Sequence, residues 1–200
     1  MAIRRFSTST IVNNLLRYAK FWDQTSTWTN VPTNSYIPIA SYTVPATAQA
    51  SITFAGIPQN FTHLQIRGTA RSSNGSVGGD SISVSFNGNT TYRSHYLYGE
   101  GSGSAQAGSD AIRNYVGRAP SASDTASVYG AFVCDILDYA NTNKYKTGRS
   151  LLGFDLNGSG NVYLTSFLYQ DTAATTSLTF TIYGGYLFNQ YTNISIYGVN

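Results

Sequence analysis

From about residue 50 onward, much of the chain alternates apolar and polar residues with period two, the spacing of strands that bury one face. Residues 63–71 show it well. Leu64, Ile66, Gly68 and Ala70 fall on one side, and His63, Gln65, Arg67, Thr69 and Arg71 on the other. Ile52 with Phe54, Ile82 with Val84 and Phe86, Leu178 with Phe180 and Ile182, and Ile194 with Ile196 repeat the pattern. Such segments predict antiparallel strands with one wet face. Asn74-Gly75, Asn87-Gly88, Asn157-Gly158 and Gly184-Gly185 are turn signals between them. Roughly eight to ten strands at this spacing predict an all-β fold, an antiparallel β-sandwich that is jelly-roll-like.

Two segments break the one-wet-face rule. In residues 129–137, Phe132, Cys134 and Ile136 share one face, while Ala131, Val133 and Leu137 share the other. Residues 162–169 are also apolar on both sides. A strand of this kind is either central and covered twice, or it lies at a subunit interface. Residues 99–127 read as a long Gly-, Ser- and Ala-rich loop with a short island, Ile112-Arg113-Asn114-Tyr115-Val116.

The N-terminal part follows a different period. Ile11, Leu15, Ala19 and Trp22 fall at helical spacing with Val12 and Leu16 alongside, and residues 7–10 offer Ser and Thr as N-caps. This predicts a short amphipathic helix over residues 10–22, marginal alone and in need of a surface to lie on. A Thr-, Ser-, Asn- and Pro-rich linker follows over residues 23–35. The chain therefore divides into an arm, helix and linker at 1–35 and a β-sandwich domain at 36–200.

Composition adds to this picture. Charged residues are 10% of the 200, with 16 Tyr and 10 Phe. Few charges with many aromatics argue against disorder and suit a surface partly covered by neighbours. The net charge is +3 but uneven, because Arg4, Arg5, Arg17 and Lys20 all precede the first acid, Asp23. A basic arm of four cations without a longer basic block points to protein docking before nucleic acid. No apolar run of signal-peptide type opens the chain, so synthesis in a cytoplasm without export is expected. No stretch approaches the length of a membrane span, and no membrane insertion is expected.

Chemistry is sparse. His63 and His95 stand apart without partners at metal-ligand spacing. Asp135 and Asp138 are three apart on a strand, which sends them to opposite faces. Cys134 lies between Phe132 and Ile136 and reads as a buried, inert thiol. Neither a phosphate loop nor a calcium loop is present in the sequence. No cofactor is expected. The remaining candidates are aromatic: Tyr92, Tyr96 and Tyr98 cluster with Arg93 and His95, residue types that make binding hot spots and stack on sugars. The plainer reading of the same residues is aromatic packing on a sheet face.

Several segments carry a resemblance. They are the opening Met1-Ala2-Ile3-Arg4-Arg5-Phe6-Ser7; Phe54-Ala55-Gly56-Ile57-Pro58-Gln59-Asn60-Phe61-Thr62-His63-Leu64-Gln65-Ile66-Arg67-Gly68 with Ala70-Arg71; Val84-Ser85-Phe86-Asn87-Gly88; Asp135-Ile136-Leu137-Asp138-Tyr139 with Asn143-Lys144-Tyr145-Lys146; and Ile194-Ser195-Ile196-Tyr197-Gly198. In order along most of the chain, they resemble virion structural proteins of tailed bacteriophages, especially those infecting marine cyanobacteria. The resemblance implies a jelly-roll-like sandwich, repeated copies and no enzymatic activity.

The expectation is thus a non-enzymatic virion protein, tail- or fibre-associated, with capsid decoration or carbohydrate binding as alternatives. Arg4, Arg5, Ile11, Leu15, Leu16 and Trp22 would dock it on the particle. Tyr92, Arg93, Tyr96 and Tyr98 would be host or glycan contacts. Expected partners are other virion proteins, further copies of the chain as a homo-oligomer (trimer or higher) and a host-surface glycan, with no nucleic acid.

Overall fold

The computed structural model describes residues 36–101, 103–111 and 114–200. The predicted helix over 10–22, and with it Arg4, Arg5, Ile11, Leu15, Leu16 and Trp22, lies outside the described residues. Apart from one short helical turn at Tyr183–Gly185, the regular secondary structure among the described residues is antiparallel strand. Twelve strands form: β1 (Ile37–Thr43), β2 (Ser51–Ala55), β3 (His63–Ala70), β4 (Asp80–Phe86), β5 (Tyr92–Gly99), β6 (Gln106–Asp110), β7 (Gly117–Ala119), β8 (Gly130–Leu137), β9 (Lys146–Asp155), β10 (Gly160–Tyr169), β11 (Ser177–Ile182) and β12 (Asn193–Val199).

They build two sheets. The larger runs β1-β12-β3-β8-β9-β10-β5-β6 and the smaller β2-β11-β4-β7. Setting aside the pairs β5–β6 and β9–β10, the chain switches sheet at every step except β4 to β7, which pair with each other, and the orders reduce to β1-β12-β3-β8 facing β2-β11-β4-β7. That is the strand order of a jelly roll. Both inserted pairs join the same side of the large sheet, beyond β8, and double it from four strands to eight.

The alternation read from sequence is the alternation that is buried. Ile52, Phe54, Ile82, Val84, Phe86, Leu178, Phe180 and Ile182 come from the small sheet. They close on Leu64, Ile66, Phe132, Cys134, Ile136, Ile194 and Ile196 from the large one. Phe86 stacks on Tyr169, with centroids 4.6 Å apart, and the Tyr169 hydroxyl donates to the Phe86 carbonyl at 3.1 Å. Glycine is required where an inner ring crosses to the next strand. A Cβ on Gly148 would strike the ring of Phe167, its direct cross-strand partner. The Asn87-Gly88 turn forms as the dipeptide predicts. Both residues have positive φ (51° and 77°) and Phe86 pairs with Asn89 around them.

Three expectations need correction. Residues 99–127 are not a continuous loop, since β6 and β7 lie within them. Their alternation is invisible because Gln106-Ala107-Gly108-Ser109-Asp110 contains no large apolar residue, and β7 is three residues long. Arg71 does not continue the wet face of β3. It lies past the strand end, buried, and its guanidinium donates to the carbonyls of Ala122, Asp124, Thr125 and Val128. Asp138 likewise falls past the end of β8, at φ 51°, rather than on the strand.

Candidate functional site

The doubled part of the large sheet is where the molecule differs from a plain two-sheet sandwich. On β8, β9, β10 and β5 the odd and even positions part cleanly: Phe132, Leu152, Tyr163 and Tyr98 align across one face. Register then decides what the other face carries. Val133 pairs with Leu151, Leu151 with Leu164, Leu164 with Leu97, and Leu97 with Ala107. One unbroken apolar row thus crosses five strands on the outer side. The next outer row is Ala131, Gly153, Val162 and Gly99. Val133, Leu151, Leu164, Leu97 and Val162 are each between 42% and 58% exposed, so no described residue covers this face. The small side chains of the second row leave an open trough of about 760 Å³, bounded by Val133 and Leu151 and by the turns at Gly99–Gly101 and 158–160.

A polar row flanks the apolar one: Gln65, Asp135, Arg149, Ser166 and His95. Gln65 Nε2 donates to Asp135 Oδ1 at 2.9 Å, and Arg149 Nε lies 3.8 Å from Asp135 Oδ2. Gln65 is buried, against its place on the predicted wet face of β3, whereas Arg149 is exposed and its contact with Asp135 is weak.

The inner side of the same strands holds tyrosines. Tyr98 stacks on Tyr163 at 4.7 Å with 7° between planes, and Tyr96 meets Tyr115 edge-on at 5.0 Å. Arg118 lies over the Tyr163 ring at 5.2 Å. Burial pushes the Tyr163 phenol above the ordinary tyrosine value, and Arg118 opposes that shift. The Tyr98 hydroxyl donates to Gln106 Oε1 at 2.6 Å, and the Tyr115 hydroxyl to Asp110 Oδ2 at 3.0 Å. The described part of the 112–116 island covers this cluster. Asn114 is buried and pairs with the Val84 backbone through both side-chain atoms, at 2.7 and 3.0 Å.

The four residues expected to meet a host or glycan do not share one surface. Tyr92 is 4% exposed, packed in the core, and burial raises its phenol pKa. Arg93 projects from the opposite face and donates to the carbonyls of Tyr92 at 3.0 Å and Ala111 at 2.9 Å. Tyr96 and Tyr98 come together, half-buried, on the inner side. Period two separates Arg93 from the tyrosines on one strand, although sequence proximity suggested a cluster.

Elsewhere, His63 is less isolated than its sequence context implies. Its Nδ1 accepts from the Asp138 amide at 3.0 Å, and Lys144 Nζ lies 2.5 Å from Asp138 Oδ2. Hydrogen bonding from Lys144 holds the Asp138 carboxyl below the usual carboxylate value. Cys134 is fully buried, and burial with the neighbouring Asp135 charge drives its thiol far above the ordinary range. Among the described residues no group of three or more His, Cys, Asp and Glu side chains is placed to hold a metal ion. No described helix is long and apolar enough to cross a membrane.

The two-sided apolar pattern of 129–137 and 162–169 was a sequence signal for the outer rows. Leu151 and Leu97 carry no such signal, because their place in the row depends on register. No protein-family model, curated protein or solved structure matches the chain.

Proposed function

We propose that this chain is a non-enzymatic structural protein of a tailed-bacteriophage virion, held on the particle through residues 1–35 and associated with the tail or its fibres. The resemblance stated above motivates the reading. The observation that carries it is the body itself: a jelly roll whose doubled sheet presents an uncovered, in-register apolar face. Contiguous exposed apolar surface of this kind marks interaction sites. Low charge and abundant tyrosine suit a chain that works covered by neighbours. In this reading the basic, amphipathic N-terminal segment grips a neighbouring virion protein, with Arg4, Arg5, Ile11, Leu15, Leu16 and Trp22 as its contacts.

A carbohydrate-binding reading is favoured by one observation, the half-exposed Tyr98 stacked on Tyr163 beside Arg118. A glycan array comparing wild type with Tyr98→Ala tests it, and absence of binding by wild type rejects it.

The main reading is tested on purified particles. Quantitative mass spectrometry should find the chain at a few to a few dozen copies per particle. Hundreds of copies would make it a capsid-decoration protein instead, and absence from particles would end the virion reading. A variant lacking residues 1–30 should keep a folded body by circular dichroism and fail to join the particle. Full incorporation of that variant would remove the docking role of the arm.

A further inference from the structure

We propose that the outer face of the doubled sheet is an interface between two copies of this chain, paired about a two-fold axis that runs parallel to the strands between β9 and β10. The face is built to match itself. Such an axis keeps each cross-strand row in place and exchanges β9 with β10 and β8 with β5. Leu151 then meets the partner's Leu164, and Val133 meets the partner's Leu97. In the next row Val162 faces the partner's Gly153, a side chain opposite a gap, and Ala131 faces the partner's Gly99.

The flanking rows match too. Asp135 comes opposite the partner's His95, and Arg149 opposite the partner's Ser166. Beyond that polar row, Arg93 comes opposite the partner's Leu137 and Thr147 opposite the partner's Leu168. No two like charges are brought together, which is the condition a self-complementary interface must meet.

The size is adequate. Strands β3, β8, β9, β10, β5 and β6, the set this axis exchanges in pairs, give a face about 29 Å wide and about 25 Å long, taking usual strand spacing and rise. Its area of roughly 700 Å² is close to the ~800 Å² per partner of a standard stable interface. The row of Val133, Leu151, Leu164 and Leu97 lies near the middle of the face, with the second apolar row toward one end of the strands and the polar row toward the other. A sheet face is also what sheet-on-sheet packing uses, with side chains of both faces filling a layer about 10 Å thick.

This inference deepens the assembly reading but is tested apart from it, since copies can pair in solution whether or not a particle is present. The full chain is measured by light scattering on a sizing column and by analytical ultracentrifugation across micromolar concentrations. Dimers, or multiples of two, are expected. Leu151→Asp and Leu164→Asp each place an unpaired carboxylate in the centre of the contact. Each should weaken association by about a hundredfold or more while keeping the circular-dichroism spectrum of the folded wild type, because both positions are exposed in the single chain.

A second measurement does not depend on disrupting anything. Val133→Cys and Leu97→Cys proteins are mixed and treated with a short bis-maleimide, since these positions face each other across the contact while each lies about three strand spacings to the side of the same position in the other copy; Cys134 is buried and stays unreacted. The mixture should give covalent dimers well above either variant alone. A monomeric wild type, an oligomer unchanged by both Asp variants, or equal cross-linking of the single variants would each overturn the proposal. A paired chain absent from particles would overturn the virion reading and leave this interface standing.

Discussion

Two buried cations tie loops to the sandwich by binding backbone carbonyls rather than carboxylates. Arg71 does so for residues 122–128. Lys146 is fully buried, and its Nζ donates to the carbonyls of Asn141 at 2.6 Å and Thr172 at 2.7 Å, with those of Lys144 and Asp171 farther off. Burial pulls its pKa below the ordinary lysine value, and Asp171 opposes this. Replacing the ammonium by a methyl group leaves those carbonyls without a donor. Lys146→Met should therefore cost about 2–4 kcal/mol in a urea titration. Asp138 gives the pH prediction. Its carboxyl is held below the unfolded value by Lys144, so its contribution to stability is present above the unfolded pKa and is lost as pH falls through the folded pKa. In Lys144→Met the Asp138 carboxyl should titrate nearer its ordinary value by NMR, and the loss of stability on acidification should become shallower. Neither tie is visible in sequence, because a lysine or arginine beside a strand reads as solvated until the loops that close over it are placed.

At the scale of elements, the strands whose side chains alternate in hydrophobicity form where the pattern puts them. Those of β2, β3, β4, β11 and β12 were legible, since burial of one face requires period two. β6 and β7 were not legible, because an edge strand of small residues and a three-residue strand have no hydrophobic signature; they exist through pairing with β5 and β4. Glycines in strands are the reverse case. Gly148 reads as a weak strand residue, yet it is the place where the Phe167 ring crosses β9. Gly148→Ala should destabilise the fold by about 1–3 kcal/mol through that overlap, measured as a lowered unfolding midpoint. An alanine at exposed Gly75, where nothing lies within reach, is the control that should not.

At the scale of the molecule, the jelly-roll order is set by two sheets closing on one core, and the doubled sheet by two inserted strand pairs meeting at β10 and β5. The second event assembles the outer apolar face, because it brings Leu97, Leu164, Leu151 and Val133 from four strands into one row. Sequence by itself determined the all-β class, the buried face of most core strands, the inert Cys134 and the two-sided apolar character of 129–137 and 162–169, all of which depend on neighbours along the chain. Tertiary structure decided what depends on neighbours across it. It divided Arg93 from Tyr96 and Tyr98, buried Arg71 and Lys146, and made a continuous surface of side chains separated by up to 67 positions. Hydrophobic periodicity is local and survives in a string of letters; strand register is a relation between distant segments, and only the folded sheet expresses it.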